Sequence, residues 1–303
     1  MGLFRDLEAV ARGWRWTRRS LTPQSATPHV PVRAPREFPT AWARTPAAQA
    51  AREMIHRFVL KPLVWRETRP RVHGLDRLEE LRGPVVFVSN HASHLDAPLL
   101  LGSLPLAWRR RLAVGAAADY FFDARWRAAL TALAFNAFPV ERRGGKRVTT
   151  VARQLLADDW SLLLFPEGTR SPDGWVGGFR PGAAVLCCSS MVPAVPVAVR
   201  GSFAAMPRGR SWPLAGRPPV VVRYGPPLYP EEGERARAFS ERLAHAVARL
   251  WDEEEETWFA SLRRSADGST PRPVGPDAPR WRRVWESTRS LPTREPERTW
   301  PRD

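Results

Sequence analysis

The sequence predicts an α/β fold, a central sheet flanked by helices. Short β-branched or apolar runs bounded by turn residues recur along the chain, and stretches of helical periodicity separate them. The part that carries this alternation, residues 49–264 of a 303-residue chain, is ample for one sizeable core, whereas both flanks are rich in Pro and Arg. Collagen-like, fully disordered and disulfide-scaffold classes are excluded on the same grounds.

From the N-terminus, Leu3, Phe4, Leu7, Val10, Ala11 and Trp14 recur at helical spacing, with Arg5, Arg12, Arg15, Arg18 and Arg19 elsewhere around the turn. Residues 1–20 therefore predict a basic amphipathic helix that lies in a lipid interface or packs on its own domain. Residues 21–48 read as a Pro-rich linker. The remainder, 49–264, opens with a second amphipathic stretch at 50–65, containing Met54, Ile55, Phe58, Val59, Leu63 and Val64, which Pro62 kinks or ends.

The period then changes. Residues 84–89 form a β-branched run between Gly83 and Asn90, the signature of a buried strand. A helix is expected over 96–106, a strand over 112–116, helices over 124–135 and 148–157, and a strand over 160–165. A helix at 183–191 and strands at 194–200 and 219–224 follow, and Phe239, Leu243, Val247, Leu250 and Trp251 mark a closing helix. The acidic run 252–256 reads as a solvated face. Residues 265–303 are expected to be a disordered Arg/Pro/Trp tail.

Charge narrows the partners. Lys+Arg number 47 against 31 Asp+Glu, a formal net charge of +16, and Lys61 and Lys146 are the only lysines. An acidic partner is implied: nucleic acid, an anionic membrane surface, or a phosphorylated or carrier-borne substrate. Cys187 and Cys188 are adjacent and form no disulfide framework, which suits a reducing compartment. The longest uncharged stretch, 182–199, is interrupted by Pro193 and Pro196, and no transmembrane span is expected. Nor does 1–21 carry a signal-peptide pattern, so the expected place is the cytosol or its membrane face.

The first residues with chemistry follow the first strong strand: Asn90, His91, Ala92, Ser93, His94, Leu95 and Asp96. Five residues on a straight helix is a rotation of about 140°, so His91 and Asp96 meet only if His91 lies in the turn and Asp96 in the helix after it. Asp96 then holds one ring nitrogen protonated and leaves the other free to accept a proton. A packing role or a metal site for His91, His94 and Asp96 competes, but the spacing departs from the metallo-hydrolase pattern, and no Gly-x-Ser-x-Gly elbow exists. Residues 165–171, Phe-Pro-Glu-Gly-Thr-Arg-Ser, leave another strand. Gly168 lets a ligand approach the backbone, Thr169 offers a hydroxyl and Arg170 a fork for an anion. The run 138–143 ends in Arg142 and Arg143.

Taken together these blocks closely resemble the glycerolipid acyltransferase family, of the lysophosphatidate (1-acylglycerol-3-phosphate) acyltransferase type. Asn90, His91, Ser93 and Asp96 match Asn-His-x-Ser-x-x-Asp. Residues 138–142 resemble the second block, with Asn136 where its leading Gly is expected. Residues 165–170 match Phe-Pro-Glu-Gly-Thr-Arg throughout, Phe179 to Gly182 is similar to a Phe-Lys-x-Gly element with Arg180 replacing Lys, and 192–197 is similar to the apolar-proline block. The resemblance implies a single domain with a central mixed sheet, preceded by membrane-contacting helices. It implies His91 and Asp96 as the catalytic pair, and Asn90, Ser93, Arg142, Glu167, Gly168, Thr169, Arg170 and Arg180 in substrate binding. Glu167 is expected to orient Arg142 or Arg170, or to accept from a hydroxyl.

No metal or cofactor is implied. The reaction expected is transfer of a fatty acyl group from acyl-CoA or acyl-carrier protein to the free hydroxyl of lysophosphatidate, giving phosphatidate, by a peripheral protein on the cytoplasmic face of a membrane. The alternative within the class is another lysophospholipid or a glycolipid acceptor, toward which Asn136 is a hint. From another class, Trp281, Trp285 and Trp300 among arginines suggest nucleic-acid binding, though no nucleic acid is expected as partner.

Overall fold

The computed structural model describes residues 39–121, 124–140, 146–289 and 291. The expected helix at 1–20, most of the linker, the last part of the tail, and Arg142 lie outside the described residues. Among the described residues, strands β1 (Arg69–His73), β2 (Val86–Ser89), β3 (Leu112–Ala117), β4 (Ala137–Val140), β5 (Ser161–Leu164), β6 (Ala194–Arg200) and β7 (Pro219–Tyr224) form one sheet in the order β1-β7-β6-β2-β5-β3-β4. Only β6 and β7 pair antiparallel, so the sheet is mixed, as expected, and β2 to β6 end at the same edge.

Alternation along the strands sends side chains to two cores. Val85 and Phe87 join Leu99, Leu100, Val195, Val197, Val220 and Val222 on one face. Val86 and Val88 join Leu162, Leu164, Ala184, Phe239 and Leu243 on the other. The helix Asp96–Ser103 contributes to the first core. The helices Lys146–Ala157, Gly182–Ser190 and Ala236–Glu255 contribute to the second.

Several boundaries correct the sequence reading. The linker ends early: Thr45 caps the helix Pro46–Ile55, its hydroxyl accepting from the Ala48 amide at 3.4 Å, with Pro46 in the first turn. Pro62 does not end the second stretch. The chain passes through a π-helical segment, His56–Leu60, and continues as the helix Lys61–Glu67, the widened turn falling directly before Pro62.

This helical arm docks through polar groups. The Arg52 guanidinium donates to the carbonyls of Ala43, Leu133 and Ala132, and the His56 ring bonds the Ala134 carbonyl at 2.5 Å. Arg52 and His56 thus satisfy the orphan carbonyls at the C-terminus of the helix Arg125–Phe135. Met54, Phe58, Val59, Trp126 and Leu130 stay exposed.

The first three residues of the acidic run are not a solvated face, whereas Glu255 and Glu256 are exposed. Asp252, Glu253 and Glu254 are buried, and Asp252 pairs with Arg264 at 2.7 Å. Glu253 and Glu254 pair with Arg223 of β7 at 2.7 and 2.8 Å, and Glu254 also takes Arg71 of β1 at 2.5 Å. The run is an electrostatic clamp between the closing helix and one end of the sheet. The expected disorder of the tail also fails over part of it: Arg280–Ser287 is a helix, whose Arg283 and Ser287 find partners on Asp173. No helix among the described residues is long and apolar enough to cross a membrane.

Candidate active site

The site lies at the carboxyl edge of β2 and β5. Their parallel register, Val86 to Leu162 through Val88 to Leu164, launches the turns 90–96 and 165–171 side by side. This is where open α/β sheets hold ligands.

His91 lies in the turn and Asp96 at the start of the helix Asp96–Ser103, the arrangement the five-residue spacing demands. His91 Nδ1 is 2.8 Å from Asp96 Oδ2. The same oxygen accepts from the Ala92 and Ser93 amides at 2.7 and 2.8 Å, and Asp96 is wholly buried. An ionised carboxylate so held takes Nδ1–H as donor and leaves Nε2 as the acceptor. The imidazole stacks on Phe165, ring centroids 4.1 Å apart at 22°, and keeps about a fifth of its side chain exposed.

Glu167 corrects its expected role. Its Oε1 accepts from the His91 amide at 2.7 Å and its Oε2 from the Gly177 amide at 2.8 Å. Both oxygens are thus engaged by backbone, and Glu167 positions the turn that bears His91. Burial pushes its carboxyl up to about 7, against the lowering effect of those two amide bonds. The Ser171 amide donates to the His91 carbonyl at 2.8 Å, so His91 is gripped by its main chain on both sides.

Asn90 and Ser93 also turn inward. Asn90 exchanges two bonds with the Val199 backbone, at 2.8 and 2.9 Å, extending the pairing of β2 with β6 past the strand end. The Ser93 hydroxyl donates to the Met206 carbonyl at 2.8 Å and accepts from the Leu95 amide. Both residues are fully buried, which corrects the expectation that they line a substrate site directly.

The residues that face outward gather beside the pair. Thr169 is exposed, Arg170 half-buried and Arg180 exposed. Gly168 has φ +72°, and a Cβ there would meet Arg180 Cζ and Nε at 3.3 Å, so glycine serves both the turn and the passage of the guanidinium. Burial, with the Arg170 charge next in weight, lowers His94 to about 4, which keeps it neutral.

Asn136 adopts the left-handed conformation (φ 47°) at the end of the helix Arg125–Phe135 and donates to the Leu112 carbonyl at 3.0 Å. Asn is among the few residues that take this conformation readily, so it does here what glycine would do. The hint toward an unusual acceptor loses its basis.

Sequence reasoning missed the segment 171–177 as a partner of the site. The available signal was Gly177, where a Cβ would stand 2.9 Å from Glu167 Oε2.

A partly exposed His paired with a buried Asp at a parallel-strand edge, beside two guanidinia, is a layout that can serve group transfer. Residues 69–200 match the model of the Acyltransferase family. A chloroplastic 1-acyl-sn-glycerol-3-phosphate acyltransferase of Brassica napus is 30% identical over 206 residues, 65% of this chain and 56% of that protein. The 1-acyl-sn-glycerol-3-phosphate acyltransferase alpha of Ovis aries is 32% identical over 184 residues, 56% of this chain and 58% of that protein. The family resemblance read from the motif blocks, of the lysophosphatidate acyltransferase type, therefore holds. The chain spans about half the length of the curated relatives it matches. The solved 1-acyl-sn-glycerophosphate acyltransferase PlsC of Thermotoga maritima shares the fold, with a TM-score of 0.56 at 22% identity, covering 72% of this chain and 88% of that one.

Proposed function

We propose that this protein transfers a fatty acyl group from acyl-CoA or acyl-carrier protein to the free hydroxyl of lysophosphatidate, giving phosphatidate, with His91 as general base. The observation that carries this is the 2.8 Å contact of His91 Nδ1 with a buried Asp96. His91 Nε2 removes the hydroxyl proton as the oxygen attacks the thioester carbonyl. The tetrahedral intermediate then expels the thiolate, which takes the proton back from the imidazolium. No acyl-enzyme is needed, because donor and acceptor meet in one site. Neutral His94 adds no second cation beside the base, and Asp96 stabilises the imidazolium once formed.

Arg170 and Arg180, with Thr169 and the open backbone at Gly168, suit the phosphate of the acceptor, and Arg142 joins them by its place in the second motif block. A lipid surface is the natural partner. Met54, Phe58, Val59, Trp126 and Leu130 are exposed, with Arg57 over Phe58 and Arg127 over Trp126. Aromatic side chains beside guanidinia suit an interface with anionic headgroups, and the protein would work there as a peripheral enzyme.

The test is acyl transfer from acyl-CoA to lysophosphatidate in anionic vesicles. His91→Ala is expected to lower kcat by about 10³-fold or more, since it removes base and proton shuttle together. Turnover that persists in the variant would overturn the mechanism. Wild-type protein that binds the vesicles but turns over neither lysophosphatidate nor acyl-CoA would overturn the substrate assignment.

A further inference from the structure

The motif blocks end at residue 197, yet the turn that bears His91 is also tied to the far end of the chain. The tie runs through residues 171–177, which carry no helix or strand. On their inner side the Ser171 amide holds the His91 carbonyl at 2.8 Å, and the Gly177 amide holds Glu167, which in turn holds the His91 amide.

Their outer side is gripped by residues 273–289. Arg283 Nε donates to Asp173 Oδ2 at 2.6 Å, and its two amino groups donate to the carbonyls of Pro276 and Val274 at 2.9 and 2.8 Å. The Ser287 hydroxyl donates to the Asp173 carbonyl at 2.6 Å, Trp175 Nε1 to the Arg283 carbonyl at 3.0 Å, and the Val176 amide to the Pro273 carbonyl at 2.8 Å. Asp173 Oδ1 meanwhile accepts from the Ser171 hydroxyl at 3.1 Å. The fit is close in shape as well. A Cβ at Gly275 would stand 2.6 Å from the Trp175 ring, and one at Gly174 would stand 2.7 Å from Ser287 Oγ.

We propose that residues 273–289 are a strap that positions the His91 turn, with the Asp173–Arg283 ion pair as its clasp. This rests on the acyl-transfer reading of His91. An irregular segment has many conformations, and each one that moves Ser171 or Gly177 moves His91. Tying the outer side at four points removes that freedom where a displacement of about 1 Å can cost 10²-fold in rate. The two large core clusters contain no residue of the strap, so its contribution falls on the loop and not on the sheet. Asp173, Arg283 and Ser287 are therefore positioning residues, acting through Ser171 and Gly177.

The experiment compares wild type with Arg283→Ala, Arg283→Lys, the exchange Asp173→Arg with Arg283→Asp, and the exposed control Arg237→Ala. Acyl transfer is measured well below each melting temperature, beside backbone hydrogen exchange of the full chain. Arg283→Ala is expected to lower kcat by about 10- to 100-fold with KM for lysophosphatidate little changed. It should also speed exchange in peptides covering 88–96 and 165–178 by about tenfold, and not in β6 or β7. Arg283→Lys and the exchanged pair should recover part of both effects, and Arg237→Ala should show neither. Unchanged exchange in those two peptides, or unchanged kcat in a folded Arg283→Ala, overturns the strap. Exchange reports on it even if wild type fails to acylate lysophosphatidate, an outcome that would overturn the substrate assignment alone.

Discussion

The helical arm at residues 46–67 and the strap at 273–289 flank the sheet domain in sequence and use the same device. Each sends an arginine into main-chain carbonyls and leaves aromatic side chains outside: Phe58 on the arm is 61% exposed and Trp281 on the strap 71%. They differ in what the arginine grips. Arg52 satisfies the closing carbonyls of the helix Arg125–Phe135, a finished element that needs only a cap. Arg283 grips an irregular segment that touches the turn bearing His91. The comparison teaches that an inward guanidinium stabilises whatever it caps, and that the functional consequence depends on how rigid that partner already is.

The arm should therefore answer to stability and the strap to catalysis. The largest effect expected on the arm is from Arg52→Ala. Arg52 is buried, its pKa lowered to about 10 by burial and then by Arg44, and it remains charged at neutral pH. Removing it strands three carbonyls and should lower the unfolding free energy by about 2–4 kcal/mol, measured in denaturant, while kcat below the transition stays near wild type. A fall in kcat as large as that of Arg283→Ala would erase the distinction.

A smaller effect tests the outward faces. Replacing Phe58 and Trp126 with Ser should weaken binding to anionic vesicles by about tenfold in a sedimentation assay, the loss of two interfacial anchors. Activity toward lysophosphatidate dispersed in detergent should hardly change. If vesicle binding were unaffected, the arm would not be the lipid-facing surface.

A further test lies in the pH dependence of stability. Glu167 rises from 4.5 unfolded to about 7 folded, so between those values the folded protein retains a proton that the unfolded chain releases. Its contribution makes stability fall as pH rises from about 4.5 through about 7. Glu167→Gln should flatten the slope over that interval in thermal melts taken across the range. An unaltered slope would mean that the loop side of the comparison carries no titrating group of consequence.

Much of this was legible beforehand, for identifiable reasons. Strands β2, β5, β6 and β7 stand out because buried strands read as apolar runs. The two that escaped, β1 and β4, are the two edges of the sheet. β1 carries Arg69, Pro70 and Arg71 and β4 carries Pro139, the residues that keep an open edge from recruiting further strands and that also break the apolar pattern. The His91–Asp96 pair was legible because five residues across a turn leave one workable geometry. The job of Glu167 was not, because its partners are backbone amides, which every residue possesses and no side-chain motif announces. The strap was hidden by composition: a segment rich in Pro and Arg looks unstructured until its arginines find carbonyls.

The double grip on the main chain of His91 also makes the site a trap. The bonds that hold the turn end on the His91 amide and carbonyl, which alanine supplies equally well. His91→Ala should thus empty the reactive position and leave the cradle standing, so that an acyl thioester and a lysolipid can occupy it together without reacting. Soaked or frozen in that condition, the variant would show donor and acceptor side by side, and with them which guanidinium holds the phosphate.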